Sequence, residues 1–384
     1  MEDFPHMLAK KLTEREAVNA LRTLEPSIGV VDFSSNDYLG LAGDEGIYSW
    51  AGKLMSGTAV PRNGATGSRL LSGNHSLYKT LEDLLEKLHE TPALVFNSGY
   101  DANMGFFSSV PQRGDLVLYD EFVHASIRDG IRMGLAKSYR FSHNNLGDLQ
   151  TLLRRKERRE EPTEVYVVTE SVFSMDGDSP DLKALLGLCR EYGCRLVVDE
   201  AHALGVKGSG AEGMMQQMGL HRETFARILT FGKAIGAHGA AIVGNSMLKA
   251  YLLNFARSFI YTTAMPPHSI ATLLAAYHFM ATGNGRKRQE ELRKNIDFFR
   301  QTVIALRLEK YFTEGRSAIH CCLLPGNTQV RQASGHLRQN GFDVRPILSP
   351  TVAEGKERLR FCLHSYNTRE EIQQVLERLQ LLLD

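Results

Sequence analysis

The sequence predicts an α/β protein in which a mostly parallel sheet forms a large domain and a compact α+β region follows it. Short, mostly β-branched apolar runs recur between residues 93 and 243, and helical patterns separate most of them. These runs lack the polar–apolar alternation of a sheet with one solvent-exposed face, so helices must cover both faces of the sheet. The length of 384 residues suits two or three domains, or one large domain with a smaller one.

The chain begins with a predicted helix and several loops. Four leucines follow helical spacing and predict an amphipathic helix over residues 8–24. They are Leu8, Leu12, Leu21 and Leu24. An extended piece at 30–33 leads into a turn at 34–37, and a loop rich in Gly, Ser and Asn covers 62–74. Leucines between 81 and 88 then form one face of a second helix.

The predicted sheet follows from six apolar runs. The strands are Ala93–Phe96, Leu116–Tyr119, Val165–Thr169, Leu196–Val198, Ile228–Phe231 and Ala240–Val243. Helical patterns such as 181–192 lie between most of them, which favours parallel pairing. Two further apolar helices are expected near 246–260 and 268–281.

The C-terminal region has a different pattern, so a domain boundary is expected near the charged, glycine-containing segment 283–288. A long helix over 286–307, strands at 318–324 and 358–363, and a closing helix from Thr368 predict a small α+β domain. The predicted organisation is an N-terminal arm over 1–40, a large domain over 41–283 and a small domain over 284–384.

Composition limits the function. Lys and Arg total 45 against 44 for Asp and Glu, a balance that disfavours broad electrostatic binding of nucleic acid or of a membrane. No run approaches the ~18 apolar residues of a membrane span, and the N-terminus lacks an apolar signal core. The five cysteines form no CxxC pair, as expected in a reducing compartment. A cytoplasmic protein without a nucleic-acid or membrane partner is therefore expected.

Polar residues gather at the predicted carboxyl ends of the strands, where ligands bind in open parallel sheets. They include Asn97, Ser98, Gly99, Tyr100, Asp120, His124, Glu170, Ser174, Asp176, Asp178, Asp199, Glu200, His202, Gly232 and Lys233. Lys233 directly follows a buried strand, so it either reaches solvent or has a chemical task. A lysine that bonds to an aldehyde, with an aspartate such as Asp199 to hold a pyridine nitrogen protonated, is the pattern of a pyridoxal phosphate (PLP) site.

Neighbouring residues complete this predicted site. Gly99 and Tyr100 stand at a strand-to-helix turn, where backbone N–H groups can bind a phosphate, and Thr230 adds a hydroxyl group. His124 is expected over the cofactor ring and His202 beside the ring hydroxyl. Either histidine alone is more often structural, but the pairing with Lys233 and Asp199 favours a functional role.

Three motifs give competing interpretations. Residues 199–202 have the form of the DEAH box of nucleic-acid motors, but no GxxxxGK[ST] loop precedes them. Residues 208–213 match GxGxxG, but they lie well past the nearest strand, unlike a dinucleotide-binding turn. Asp199, Glu200 and His202 also resemble metal ligands, but no second His or Cys cluster supports a metal site.

Six blocks of the sequence are distinctive. They are 33–40 (FSSNDYLG), 67–74 (GSRLLSGN), 169–178 (TESVFSMDGD), 199–202 (DEAH), 230–233 (TFGK) and 261–267 (YTTAMPP). Together they resemble the α-oxoamine synthases, PLP-dependent enzymes of fold type I, the aspartate aminotransferase-like fold. The resemblance extends from about residue 15 to the C-terminus. It implies condensation of an amino acid with an acyl thioester and release of CO₂.

The resemblance also implies residue roles. Lys233 would bind the cofactor aldehyde, Asp199 would pair with the pyridine nitrogen, and His124 would stack on the ring. The other implied cofactor contacts are Gly99, Tyr100, Ser174, His202, Thr230 and, from the partner subunit of a homodimer, Thr263. The implied substrate contacts are Arg22, Asn36, Thr351 and Arg360. A guanidinium such as that of Arg360 suits the amino-acid carboxylate.

The GSRLLSGN block and the short arm are most similar to members that join L-alanine to a pimeloyl thioester of coenzyme A or a carrier protein. The family commonly has Arg-Pro-Pro-Thr-Val-Pro where this chain has Leu-Ser-Pro-Thr-Val-Ala at 348–353. Leu348 thus replaces an arginine beside the acyl site, and Arg345 is a candidate substitute. The alternatives are a relative that uses glycine or serine, an aminotransferase, which the TFGK and YTTAMPP blocks disfavour, and, from another class, a DEAH-box motor.

Overall fold

The computed structural model describes residues 4–24, 29–57, 62–156 and 164–383. The chain divides into two compact units. The sheet unit comprises Leu39–Ser174 and Ser179–Gln289, and the terminal unit comprises Met1–Tyr38, Met175–Asp178 and Glu290–Asp384. The predicted arm thus falls almost wholly within the terminal unit, and the three-part division of the chain stays a prediction.

The helices and strands have the following bounds. The helices are α1 (His6–Ala17), α2 (Glu45–Ser56), α3 (Ser76–His89), α4 (Gly99–Ser109), α5 (Ala125–Met133), α6 (Leu146–Lys156), α7 (Leu182–Glu191), α8 (Met214–Gln217), α9 (Ser246–Phe255), α10 (Arg257–Ile260), α11 (Pro267–Met280), α12 (Gly283–Ala305), α13 (Asn327–Gln339) and α14 (Arg369–Leu383). The strands are β1 (Val31–Asp32), β2 (Ala93–Phe96), β3 (Leu116–Asp120), β4 (Lys137–Phe141), β5 (Val165–Glu170), β6 (Arg195–Asp199), β7 (Ala226–Thr230), β8 (Ala240–Gly244), β9 (Ile319–Leu323), β10 (Phe342–Asp343), β11 (Arg345–Ile347) and β12 (Arg358–Cys362).

The sheet unit is built on a seven-stranded sheet with the order β2-β8-β7-β6-β5-β3-β4. The five strands from β7 to β4 are parallel, whereas β8 runs antiparallel to both β7 and β2. The predicted α/β class and the six apolar strands are confirmed. Strand β4 was not predicted, because only Phe141 in it is buried and an exposed edge strand carries no apolar run.

Successive residues of the parallel strands enter two different cores. Val117, Val168 and Val197 pack in one cluster with Phe106 and Ile127 of the neighbouring helices. Leucines of the same strands pack in the other cluster, on helices α6 and α7. That second cluster includes Leu116, Leu118, Leu196, Leu149, Leu153, Leu182 and Leu185. Helices thus cover both faces, as the continuous apolar runs predict.

The start of the chain differs from the prediction. Helix α1 ends at Ala17, so Leu21 and Leu24 lie outside the helix, and none of its residues is buried. Asn19 has φ of 53°, the left-handed conformation that terminates helices. Spacing alone could not reveal this end, because the leucines continue in register beyond it.

The terminal unit contains two small sheets. Strands β11, β12 and β9 form an antiparallel sheet, and β1 pairs with β10 in parallel. The segment 283–288, predicted as a boundary, is helical, because α12 begins at Gly283 and continues to Ala305. No helix in the described ranges is long and apolar enough to cross a membrane.

Candidate active site

The parallel strands bring the predicted site residues to one edge of the sheet. Asp199 ends β6, Glu170 ends β5 and Thr230 ends β7, so these three residues lie at carboxyl ends. Lys233 follows Thr230 in the loop before β8. The charges of Asp199 and Lys233 both act on His124 and on Glu170. The structure therefore brings Lys233, Asp199 and His124 together, as the sequence predicts.

Lys233 and His202 are in direct contact. The distance between Lys233 Nζ and His202 Nε2 is 2.6 Å. His202 is buried, and Lys233 is half-buried. An amine and an imidazole at this distance can pass a proton between them.

Asp199 accepts hydrogen bonds on both carboxylate oxygens. Asn103 Nδ2 donates to Asp199 Oδ2 at 3.0 Å, and the backbone N–H of Ala201 donates to Oδ1 at 2.9 Å. The side chain is buried. Two donors suit an ionised carboxylate, which accepts only. The arrangement fits a negative charge held in a fixed orientation.

His124 precedes α5 and is anchored on two sides. Its backbone N–H donates to Glu170 Oε1 at 2.6 Å, and its Nδ1 lies 2.7 Å from Ser126 Oγ. The residue as a whole is exposed. Desolvation lowers the pKa of the imidazole, and the positive charge of Lys233 acts in the same direction against the charge of Asp199. A neutral, partly open ring suits stacking on a planar ligand.

The start of α4 forms a candidate phosphate site. Ser98 Oγ accepts the N–H of Asp101 at 3.0 Å and caps the helix, which begins at Gly99. The N–H groups of the first turn have no partner within a helix. A Cβ atom built on Gly99 would lie 2.4 Å from Thr230 Oγ1, so glycine keeps the hydroxyl close to these groups. The donor set fits the phosphate of PLP.

The remaining predicted cofactor contacts lie near this edge with less definite roles. Tyr100 donates its hydroxyl to Asp129 Oδ2 at 2.8 Å. Thr263 is exposed, and its carbonyl accepts from Asn97 Nδ2 at 2.6 Å. Ser174 is half-buried after β5. The roles of these residues stay predictions.

Glu200 belongs to a different network from Asp199. Its carboxylate accepts the N–H groups of Met214 and Met215 and pairs with Arg227 at 3.3 Å, and both charged side chains are buried. Asp199 shares none of these partners. Within the described ranges, no three His, Cys, Asp or Glu side chains are arranged to hold a metal ion. Within the DEAH block, Asp199 and His202 thus belong to the candidate site, whereas Glu200 belongs to the buried structural network.

The predicted substrate residues lie in the terminal unit and form two pairs. Arg360 Nη2 donates to Asn36 Oδ1 at 3.0 Å, and Arg22 Nη2 lies 3.5 Å from Thr351 Oγ1. Arg360 is buried, whereas Arg22 is exposed. Asp176 also belongs to this unit, where it forms an ion pair with Arg358.

Two contributors were not assigned from the sequence. Asn103 and Ser126 connect Asp199 to His124, since Asn103 Nδ2 also lies 3.0 Å from Ser126 Oγ. Asn103 stands one turn after Gly99 on α4, between the apolar Ala102 and Met104. An amide side chain between two apolar residues of a predicted buried helix was the available signal.

Comparison with known proteins gives consistent relatives. The family model Aminotransferase class I and II matches residues 28–379. The 8-amino-7-oxononanoate synthase of Emericella nidulans is 38% identical over an alignment of 370 positions that covers 92% of this chain and 89% of that protein. Among solved structures, serine palmitoyltransferase from S. paucimobilis with a bound PLP–myriocin aldimine has a TM-score of 0.87 and 26% identity, with 98% and 96% of the two chains covered. The 8-amino-7-oxononanoate synthase from Francisella tularensis has a TM-score of 0.76 and 28% identity, with 92% and 98% covered.

Proposed function

The chain belongs to the class I and II aminotransferase family and, within it, to the α-oxoamine synthases, and from this membership we propose a specific reaction. L-alanine and a pimeloyl thioester react to give 8-amino-7-oxononanoate, CO₂ and the free thiol, as a step of biotin biosynthesis. The carrying observation is the near full-length similarity to the Emericella nidulans 8-amino-7-oxononanoate synthase. A DEAH-box motor is not favoured, because the family match spans both sides of that motif.

The cofactor is pyridoxal 5′-phosphate, and residues of the sheet unit fit it. Lys233 Nζ would bind the aldehyde, Asp199 would hold the pyridine nitrogen, and His124 would cover the ring. The first turn of α4 and Thr230 would bind the phosphate, with Gly99 leaving room for it. When bound, the cofactor supplies an aldehyde that bonds to an amine and a ring that takes up the electron pair released at Cα.

Lys233 and His202 are the proposed proton carriers. Lys233 Nζ would receive the proton of the alanine Cα atom, and His202 Nε2 at 2.6 Å offers a second place for it. The negative charge of Asp199 would keep a proton on the ring nitrogen. Asn103 and the backbone N–H of Ala201 orient the Asp199 carboxylate for this role. Ser174, Tyr100 and Thr263 would complete the binding of the cofactor.

Residues of the terminal unit are the proposed substrate contacts. Arg360 would bind the alanine carboxylate, with Asn36 orienting the guanidinium. Arg22 and Thr351 would contact the acyl part. Leu348 replaces the family arginine, and Arg345 is the candidate substitute. Arg345 Nη2 is paired with Asp343 Oδ2 at 3.2 Å, so the charge of Arg345 is already partly neutralised. Arg22 is then the better candidate for the distal carboxylate of the pimeloyl group.

The proposed assembly is a cytoplasmic homodimer, in which Thr263 of each chain serves the phosphate of the other. All five cysteines are free thiols, which suits a reducing compartment. The pimeloyl group would arrive on coenzyme A or on an acyl carrier protein, and no nucleic acid takes part.

The test is a competition assay. The PLP-loaded protein is given alanine, glycine and serine together with pimeloyl and acetyl thioesters, and the products are separated by mass spectrometry. The proposal requires the mass of 8-amino-7-oxononanoate as the main product. If the specificity constant for glycine with the acetyl thioester exceeds that for alanine with the pimeloyl thioester, the protein is a glycine acyltransferase and the proposed reaction is wrong.

A further inference from the structure

Four side chains form a continuous hydrogen-bonded relay in the sheet unit, which runs from the buried Asp199 to the exposed His124. Asn103 Nδ2 lies 3.0 Å from Asp199 Oδ2 and 3.0 Å from Ser126 Oγ. Ser126 Oγ lies 2.7 Å from His124 Nδ1. Asn103 and Ser126 are both buried. The relay thus joins the carboxylate proposed for the ring nitrogen to the imidazole proposed for the ring face.

The direction of each hydrogen bond in the relay follows from the donor inventory. An ionised carboxylate only accepts, so Asn103 must present its NH₂ group to Asp199. The second hydrogen of that group points to Ser126 Oγ, which therefore accepts. Asn103 Oδ1 has no hydrogen-bond partner in the described chain. A flipped amide would place this oxygen against Asp199, so the observed orientation is the stable one.

The remaining hydrogen bonds determine the state of His124. The backbone N–H of Ser126 donates to His124 Nδ1 at 3.2 Å, and a backbone N–H cannot accept. The Ser126 hydroxyl, which accepts from Asn103, donates its own hydrogen to the same nitrogen. Nδ1 therefore carries no proton, and the imidazole proton lies on Nε2. Desolvation also lowers the pKa of the His124 imidazole. The negative charges of Asp199 and Asp129 raise this pKa, and the positive charges of Lys233 and Arg128 lower it.

We propose that Asn103 is a positioning residue, which orients the Asp199 carboxylate and, through Ser126, holds His124 as the neutral Nε2–H tautomer. The proposal rests on the proposed function for the meaning of Asp199 and His124. The Nδ1 lone pair of His124 accepts hydrogen bonds from Ser126 of α5, so the imidazole ring presents a fixed face to the cofactor. Asn103 contacts neither reactant, so its effect on turnover is indirect.

The tautomer is measured by ¹⁵N NMR on histidine-labelled, full-length protein, with and without PLP, and a His124→Gln spectrum assigns the signals. The wild type should show a pyridine-type Nδ1 and a pyrrole-type Nε2. Asn103→Leu and Ser126→Ala should each lower the ratio of Nε2–H to Nδ1–H forms by about fivefold, the effect of one lost hydrogen bond. Ser126→Thr, which retains the hydroxyl, and Ser109→Ala, a control on α4, should stay near the wild-type ratio.

Kinetics supply the second readout. Asn103→Leu should lower kcat about tenfold with little change in KM for alanine, because an orienting contact is lost and no substrate contact is touched. If Asn103→Leu folds poorly, Ser126→Ala still tests the His124 half, since the bond from Asn103 to Asp199 remains.

An Nδ1–H tautomer in the wild type, or equal ratios in wild type and both relay variants, would overturn the relay. The measurement without PLP is independent of the reaction. A chain with the expected tautomer but no 8-amino-7-oxononanoate product would instead overturn the proposed function and leave the relay standing.

Discussion

Glu170 and Asp199 are register partners at the carboxyl ends of the neighbouring parallel strands β5 and β6. Both residues are buried, so two carboxyl groups share a site shielded from water. Burial, and next the charge of Asp199, raise the pKa of Glu170 to about 8. Glu170 is therefore mainly neutral at pH 7.

Replacing Glu170 with Gln should weaken the dependence of stability on pH. The pKa of Glu170 is about 8 in the fold against an ordinary 4.5, so the bound proton stabilises the fold fully below pH 4.5. That contribution is lost as the pH rises to about 8. The free energy of unfolding of Glu170→Gln relative to the wild type should therefore rise with pH, by up to about 1.4 kcal/mol per unit. Urea titrations from about pH 5 to about pH 9 measure it, with exposed Glu191→Gln as control. A flat difference would mean that Glu170 is ionised throughout.

Lys233→Ala should abolish both covalent attachment of the cofactor and turnover. The variant lacks the amine that bonds to the aldehyde and accepts the Cα proton, so kcat should fall by about a thousandfold or more. Borohydride treatment followed by mass spectrometry should show a PLP adduct on the wild type and on the exposed control Lys183→Ala, but not on Lys233→Ala. Near-normal turnover in Lys233→Ala would remove the basis of the whole assignment.

Asp199→Asn should bind PLP but lose proton chemistry at Cα. An amide supplies no negative charge to keep the ring nitrogen protonated, so exchange of the alanine Cα proton with deuterated water should nearly vanish. NMR of recovered alanine measures this exchange separately from condensation. Exchange at the wild-type rate would show that Asp199 does not face the ring nitrogen.

Gly99→Ala should weaken PLP binding. The added Cβ would lie 2.4 Å from Thr230 Oγ1, and the β-branched Thr230 has few other rotamers to adopt. We expect the Kd for PLP to rise about tenfold, the equivalent of ~1.4 kcal/mol, as measured by absorbance titration. Gly187→Ala is the matched control, because nothing lies within 4 Å of its added Cβ in α7. Unchanged affinity in Gly99→Ala would place the phosphate elsewhere.

Removing one partner of the Arg227–Glu200 pair should destabilise the sheet unit. Both side chains are buried, and an uncompensated buried charge costs about 3–5 kcal/mol. Arg227→Met and Glu200→Leu should each lower the free energy of unfolding by that amount. The double variant should lose less than the sum of the two, and urea denaturation completes the cycle. Strict additivity would mean that the two charges are not coupled.

Local sequence patterns predicted much of the fold. The apolar runs of β3, β5 and β6 predicted buried parallel strands, because a strand covered on both faces must be apolar at every position. The polar residues that follow those strands, Asp199 and Lys233 above all, could be predicted as site residues because parallel strands end at a common edge. The exposed strand β4 could not be predicted because it carries no apolar run. The end of α1 at Ala17 could not be predicted because the helical leucine spacing continues beyond it.

The sequence by itself determined the fold class, the six apolar strands of the large sheet and the residue types at their ends. Only the tertiary structure decided how those residues are paired. Asn103 and Asp199 are 96 positions apart and meet at 3.0 Å, and Glu200 turns to Arg227 while its neighbour Asp199 accepts from Asn103 and Ala201. Burial leaves each polar group only the partners that the packed helices and strands bring within reach. Hydrogen-bond partners distant in sequence are therefore a property of the assembled sheet and its covering helices, which no local pattern encodes.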